Sequence, residues 1–311
     1  MGTNVAAGFS RTDIGPPEGG HYDLGVMAQL ACLLEVSAPK PGNVCPGRHF
    51  PDARYEDFLA SAIAIGGPIG SAGTRPLGAT IRLAVEATAT WTASNTNLGI
   101  VLLLAPLARA IAIDSAVDRL RDSLRRVLDN TTVADAREVY AAIRRAAPGG
   151  LGRAAEQDVA GEPTATLVEA MRLAANRDAI AREYATAFDI TFSTAVPELK
   201  RARADGLSWD DAIVETFLRV LATVPDTHIA RRGGAALAGD VSRAAQDALD
   251  AGGVRSGAGR RAIEAFDRTL RDDGHRANPG TTADLMAAAI FVVLAGGGWT
   301  SPAGGRDAAA R

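Results

Sequence analysis

Apolar residues along most of the chain recur every three to four positions, the spacing of helices that bury one face. The clearest case runs from Arg177 to Arg203, where Ile180, Tyr184, Phe188, Phe192 and Val196 fall four apart and mark one stripe. The same reading predicts helices over 23–36, 55–65, 78–91, 97–112, 114–128, 132–146, 164–175, 177–204, 208–223, 240–251, 257–272 and 281–295. No run of β-branched residues alternates with period two, so strands are not expected. Ser208–Asp211 and Thr281–Asp284 carry the hydroxyl-then-acid spacing of a capping box ahead of an apolar run. Gly and Pro clusters at 39–51, 66–76, 148–163, 252–259 and 274–280 read as loops. No fixed period repeats, which argues against a solenoid. The expectation is an all-α, single-domain, multi-helix globular bundle of about 10–13 helices over roughly residues 21–296. A disordered leader (1–20) would precede it and a flexible Gly/Ala-rich tail (297–311) would follow.

Composition narrows the function classes. The 311 residues are 47% hydrophobic, enough for a sizeable core, and only 5% aromatic, which suits close helix-on-helix packing. A net charge of −3 gives no chain-wide attraction for nucleic acid or an anionic membrane, so any phosphate must be met by a local cluster. The longest apolar stretches, Gly99–Leu107 and Leu285–Ala295, fall well short of the roughly 18 residues of a membrane span. Cys32 and Cys45 form neither a disulfide framework nor a CxxC metal motif, and residues 1–20 lack a signal-peptide layout. A cytoplasmic location is expected; oligomeric state is left open, a homo-oligomer included. Only Lys40 and Lys200 are lysines in an arginine-rich chain, which draws attention to Lys40.

Four polar segments carry candidate chemistry. In Pro39–Gly42, two prolines stiffen the backbone around Lys40, and Gly42 would let amides approach an anion. It reads equally well as a turn ending a helix. Ser94–Gly99 precedes an apolar helix, where free N–H groups attract anions, although simple N-capping is the stronger reading. Pro225–Gly234 packs Asp226, His228, Arg231 and Arg232 into a few residues, a set suited to phosphate and Mg²⁺; Asp226 is also a plausible helix cap. Asn278–Leu285, read alone, is structural.

Taken in order, these segments resemble the triphosphoribosyl-dephospho-CoA synthase family, whose pattern runs P-K-P-G, N-T-H-K-G, D-T-x(4)-R-x-G and N-P-G-[GT]-[ST]-A-D-L. Here they are Pro39–Gly42, Asn95–Gly99, Asp226 and Thr227 with Arg232 and Gly234, and Asn278–Leu285, within a resemblance spanning Ala31 to Leu294. Two departures stand out. Asn97 and Leu98 replace the family's His-Lys, and Arg48–Asp52 replaces its acidic stretch.

The resemblance implies a helical transferase that moves the 5-triphosphoribosyl group of ATP to the 2′-hydroxyl of 3′-dephospho-CoA, releasing adenine. Its transition state would be oxocarbenium-like and would need a carboxylate, help for the leaving base, and cations for the triphosphate. On that basis Lys40, Arg231 and Arg232 are expected on phosphates, with Gly42, Gly234 and Asn278 lining the same site. Asn95, Thr96 and Asn97 would orient ribose or phosphate. Glu35, Glu86 and Asp226 are the catalytic candidates, and Asp226 and Glu86 the candidate Mg²⁺ ligands. His49 and His228 are candidates for protonating the leaving base. The departures keep two alternatives open: (phospho)ribosyl transfer in another cofactor pathway, such as methanopterin-type pterin biosynthesis, and a nucleotide-binding regulator without chemistry.

Overall fold

Two helices are apolar on every side, and a helix of that kind needs protein all round it. They are α5 (Leu98–Ile113) and α15 (Gly280–Ala295), which pack against each other at the centre of the molecule. The structure is a computed structural model that describes residues 23–271 and 274–299. The expected leader lies outside the described residues, as does the tail beyond 299; Trp299, the last described residue, stacks on Trp209 with ring centroids 5.9 Å apart.

Around this pair run α1 (Leu24–Ser37), α2 (Tyr55–Ala64), the short α3 (Gly66–Gly70), α4 (Leu77–Thr88), α6 (Leu120–Asp129), α7 (Val133–Ala146) and α8 (Leu167–Ala174). The second half adds α9 (Ala179–Thr186), α10 (Val196–Ala204), α11 (Trp209–Thr223), α12 (Thr227–Gly233), α13 (Ala235–Asp250) and α14 (Gly257–Leu270). α1 and α11 lie against α15, while α4 and α6 lie against α5. One continuous apolar core joins both halves, and the described residues contain no strand beyond two isolated bridges, Cys45–Arg48 and Phe50–Ala53. The all-α expectation holds. No helix of the described residues is long and apolar enough to cross a membrane.

Helix starts shift by five or six residues at α6 and α13, and three further outcomes differ from the periodicity. The helix expected over 177–204 is broken: Ala187 and Phe188 adopt left-handed backbone, and a π-turn at Thr191–Ala195 leads into α10. Glu183 causes part of this, because its carboxylate accepts from the Ile190 and Thr191 N–H groups at 2.8 and 3.0 Å and caps a new helical start. Pro197, with no N–H to give, accounts for the widened turn before it. Second, the Thr281–Asp284 capping box does not form: α15 starts at Pro279 with no side-chain cap, and Asp284 is left for other work. The Ser208 cap does form, accepting from the Asp211 N–H at 3.1 Å. Third, α3 and α12 lie in stretches too Gly-rich or too polar to show an apolar stripe.

Pro106 sits inside α5, where it removes the N–H that would bond the Leu102 carbonyl. That carbonyl is buried and receives instead the Tyr184 hydroxyl of α9 at 2.7 Å.

Candidate active site

The four polar segments, far apart in sequence, meet at the first turn of α15. Gly42 lies against Pro279, so close that a β-carbon there would contact the proline ring at 3.0 Å. Gly99, near the start of α5, lies against the Asp284 carboxylate with no room for a side chain. From α12, Asp226 bonds Thr282, Thr227 bonds Thr281 at 3.2 Å, and His228 abuts Gly280. The meeting of these segments follows the sequence expectation; the state of several side chains does not.

Lys40 is the main correction. It is no exposed cation on a stiff loop: its side chain is fully buried, and its ammonium pairs with the Glu35 carboxylate at 2.9 Å. The same ammonium donates to the Glu35 and Ala38 carbonyls, so all three of its protons are engaged by the end of α1 and the residue that follows it. Glu35, 4% exposed, is in turn neutralised by Lys40. Gly42, in left-handed backbone, donates its N–H to Asp267 Oδ1 at 2.8 Å rather than to an open anion site. Asp267 also holds Arg48 at 2.7 Å and Arg271 at 2.9 Å, so one α14 carboxylate ties the whole 42–48 loop down.

The Ser94–Gly99 segment resolves as capping and packing. Asn95 accepts from the Leu98 N–H at 3.1 Å. Thr96 and Asn97 are buried: the Thr96 hydroxyl bonds Ser61 at 2.5 Å, and the Asn97 amide donates to Thr88 at 3.0 Å. Thr96, Asn97, Glu35 and Cys32 line an internal cavity of about 10 Å³, room for at most one water. Burial pushes the Cys32 thiol far up, with Glu35 and Asp284 adding to the rise, so it is inert.

Asp226 caps α12. Its Oδ1 accepts from the N–H groups of His228 and Ile229 at 2.8 and 3.0 Å, and its Oδ2 accepts from the Thr282 N–H and hydroxyl, both at 2.7 Å. Four donors occupy a carboxylate that is 2% exposed, which leaves no oxygen lone pair directed at a metal ion. The expected Mg²⁺ role is thereby replaced by a clasp between α12 and α15. Burial pushes the His228 imidazole below its ordinary value; Asp226 opposes, and Arg231 and Arg232 add to the fall. A neutral imidazole is a poor proton donor. Arg231 pairs with Asp178 at 2.6 Å, Arg232 reaches the Gly274 carbonyl at 2.8 Å from an exposed position, and Gly234 supplies the positive φ that opens α13. The Asn278 amide oxygen is buried and has no hydrogen-bond partner among the described residues.

Two candidates stand apart from this centre. Glu86 lies on the outer face of α4, 45% exposed, paired with Arg82 at 2.8 Å beside an open groove lined by Pro68, Arg75 and Leu83. His49 is exposed and accepts from the Tyr55 N–H at 3.1 Å. Neither reaches the turn where the motifs meet, so the catalytic and metal roles expected of Glu86 do not fit its position.

The residue that the sequence reading took only as part of a helix cap is Asp284. It is the one charged residue of α15, and among the described residues it has no hydrogen-bond or ion-pair partner. Burial raises its carboxyl well above the usual range, and the nearby Glu35 and Asp226 raise it further; Arg231 opposes and Asp178 adds a smaller push. A lone acid in an otherwise apolar sixteen-residue helix was the available signal.

A profile of the ATP:dephospho-CoA triphosphoribosyl transferase family matches residues 21–302, a span that takes in every described residue. The chain belongs to that family. A crystal structure from Archaeoglobus fulgidus, named as a candidate triphosphoribosyl-dephospho-CoA synthase, superposes with a TM-score of 0.60 at 28% identity, covering 77% of this chain and 99% of that one. A protein of Pseudomonas syringae pv. tomato named a probable 2-(5''-triphosphoribosyl)-3'-dephosphocoenzyme-A synthase is 38% identical over 113 residues, 36% of this chain and 38% of that protein. A Klebsiella pneumoniae protein named 2-(5''-triphosphoribosyl)-3'-dephosphocoenzyme-A synthase is 34% identical over 98 residues, 32% of this chain and 34% of that protein. The chain thus matches little more than a third of the length of these curated relatives, while the transferase family fold extends over most of it.

Proposed function

We propose that the protein transfers the 5-triphosphoribosyl group of ATP to the 2′-hydroxyl of 3′-dephospho-CoA. The C1–O bond forms as the C1–N9 bond of ATP breaks; adenine leaves and the triphosphate stays on the transferred ribose. The observation that carries this reading is the meeting of four family motifs at one helix start, around a carboxyl group that has no partner among the described residues. An oxocarbenium-like transition state is stabilised by such a carboxyl-rich, part-buried environment, where charge interactions are stronger than in water. ATP and coenzyme A precursors place the reaction in the cytoplasm.

The expected Mg²⁺ ligands do not fit a resident ion. Asp226 is saturated by protein donors and Glu86 lies elsewhere; among the described residues no group of three His, Cys, Asp or Glu side chains is arranged to hold a metal. Any Mg²⁺ therefore arrives with the triphosphate, as part of the substrate. Incubation with ATP, Mg²⁺ and dephospho-CoA, followed by chromatography and mass measurement, tests the reading. Adenine and a triphosphoribosylated product are expected. Turnover only with another ribosyl donor, or nucleotide binding without adenine, would overturn it.

A further inference from the structure

The acids gathered at the start of α15 are engaged with protein partners, with one exception. Glu35 faces Lys40, Asp226 holds four donors, Asp178 pairs with Arg231 and Asp267 holds two arginines. Asp284 alone has neither a donor nor a cation on it among the described residues. Its surroundings are built to leave it that way. Gly99 approaches with a bare α-carbon where any side chain would collide with the carboxylate, and Pro279 opens α15 so that Asp284 is not drawn into a cap.

We infer that Asp284 is the acid that protonates adenine as it leaves. This rests on the transfer proposed above. Adenine is a poor leaving group as an anion and a good one once a ring nitrogen carries a proton. In the step, the C1–N9 electron pair moves onto the purine while the Asp284 carboxyl gives its proton to a purine nitrogen. The proton lost by the attacking 2′-hydroxyl, as its oxygen bonds C1, returns through solvent to the Asp284 carboxylate, so the group is restored at each turnover. The groups that face it favour the protonated form before reaction: Glu35 from α1, Asp226 from α12 and Asp178 at the start of α9 all disfavour a further negative charge, against the single opposing Arg231. An acid held protonated near working pH is what proton delivery requires.

An ATP whose purine is methylated at N7 separates this role from others, because its base departs neutral without being protonated. With ATP, Asp284→Asn and Asp284→Ala should lower turnover by about 10²–10⁴-fold. With N7-methyl-ATP the same variants should approach wild-type rates. Wild-type turnover with ATP should fall as pH rises through the Asp284 titration, and this limb should vanish with the methylated donor. Calorimetric affinity for ATP·Mg²⁺ should be unchanged, and Asp284→Asn should melt no lower than wild type at neutral pH. The sign follows from the raised carboxyl: its stability contribution is full below the ordinary aspartate range and declines as pH rises, so an amide removes a penalty. Equal losses with both donors would make Asp284 a base or a structural residue, and lost ATP affinity would make it a phosphate or metal contact. Either result overturns the inference while leaving the transfer intact. A wild-type enzyme that releases no adenine with dephospho-CoA would overturn the transfer and the inference with it.

Discussion

Two carboxylate-bearing surfaces of the molecule make opposite use of similar residues. At the start of α15, acids from α1, α12 and α15 converge in a part-dry space where each charge must find donors or become protonated. On the outer face of α4, Glu86 borders a larger, open groove and shares Arg82 with Glu138 in a solvated ladder. Cavity size alone would point to the groove, whereas the proposed chemistry lies at the crowded turn. Neighbouring charges, more than available volume, decide where a carboxyl can do acid–base work.

Substitutions test that contrast. The largest effect is expected at Lys40. Lys40→Ala strands Glu35 in the interior and should destabilise the fold by about 3–5 kcal/mol, read by chemical denaturation. A Tm near wild type, with only nucleotide affinity lost, would show that Lys40 swings out to phosphate. Asp226→Asn should cost about 1–3 kcal/mol, because the amide keeps the α12 cap but presents N–H groups to the Thr282 donors. Unchanged stability combined with lost Mg²⁺-dependent binding would restore the metal role for Asp226. Glu86→Gln should leave both Tm and adenine release at wild-type values, since an exposed i,i+4 pair contributes little. A strong loss of turnover there would move the centre to the groove.

Much of this architecture is legible in the sequence because helices that bury one face repeat their apolar positions. The ends of α1, α7 and α11 fall within a residue or two of the spacing reading. The break at Ala187 and Phe188 is not legible, since the Glu183 carboxylate that rebuilds the next helical start sits among residues whose apolar stripe continues straight through. The site divides in the same way. Motif order marked the segments that meet, but not what their side chains do there. Lys40 is buried by a partner five residues back across a helix end, and Asp226 is filled by a threonine 56 residues on. The second pairing belongs to the tertiary structure, as does the burial that makes the first decisive, and apolar spacing carries no trace of either.

The Pro106 interruption bears on how the chain assembles. During synthesis α5 is complete long before Tyr184 emerges, and until then the Leu102 carbonyl has no hydrogen-bond donor from its own helix. A hydroxyl from one later residue fills the vacancy, and sliding α9 along α5 by a turn would leave the acceptor empty again. The first half of the bundle therefore carries a built-in incompleteness that docking of the second half repairs, and this favours the register in which Tyr184 meets Leu102.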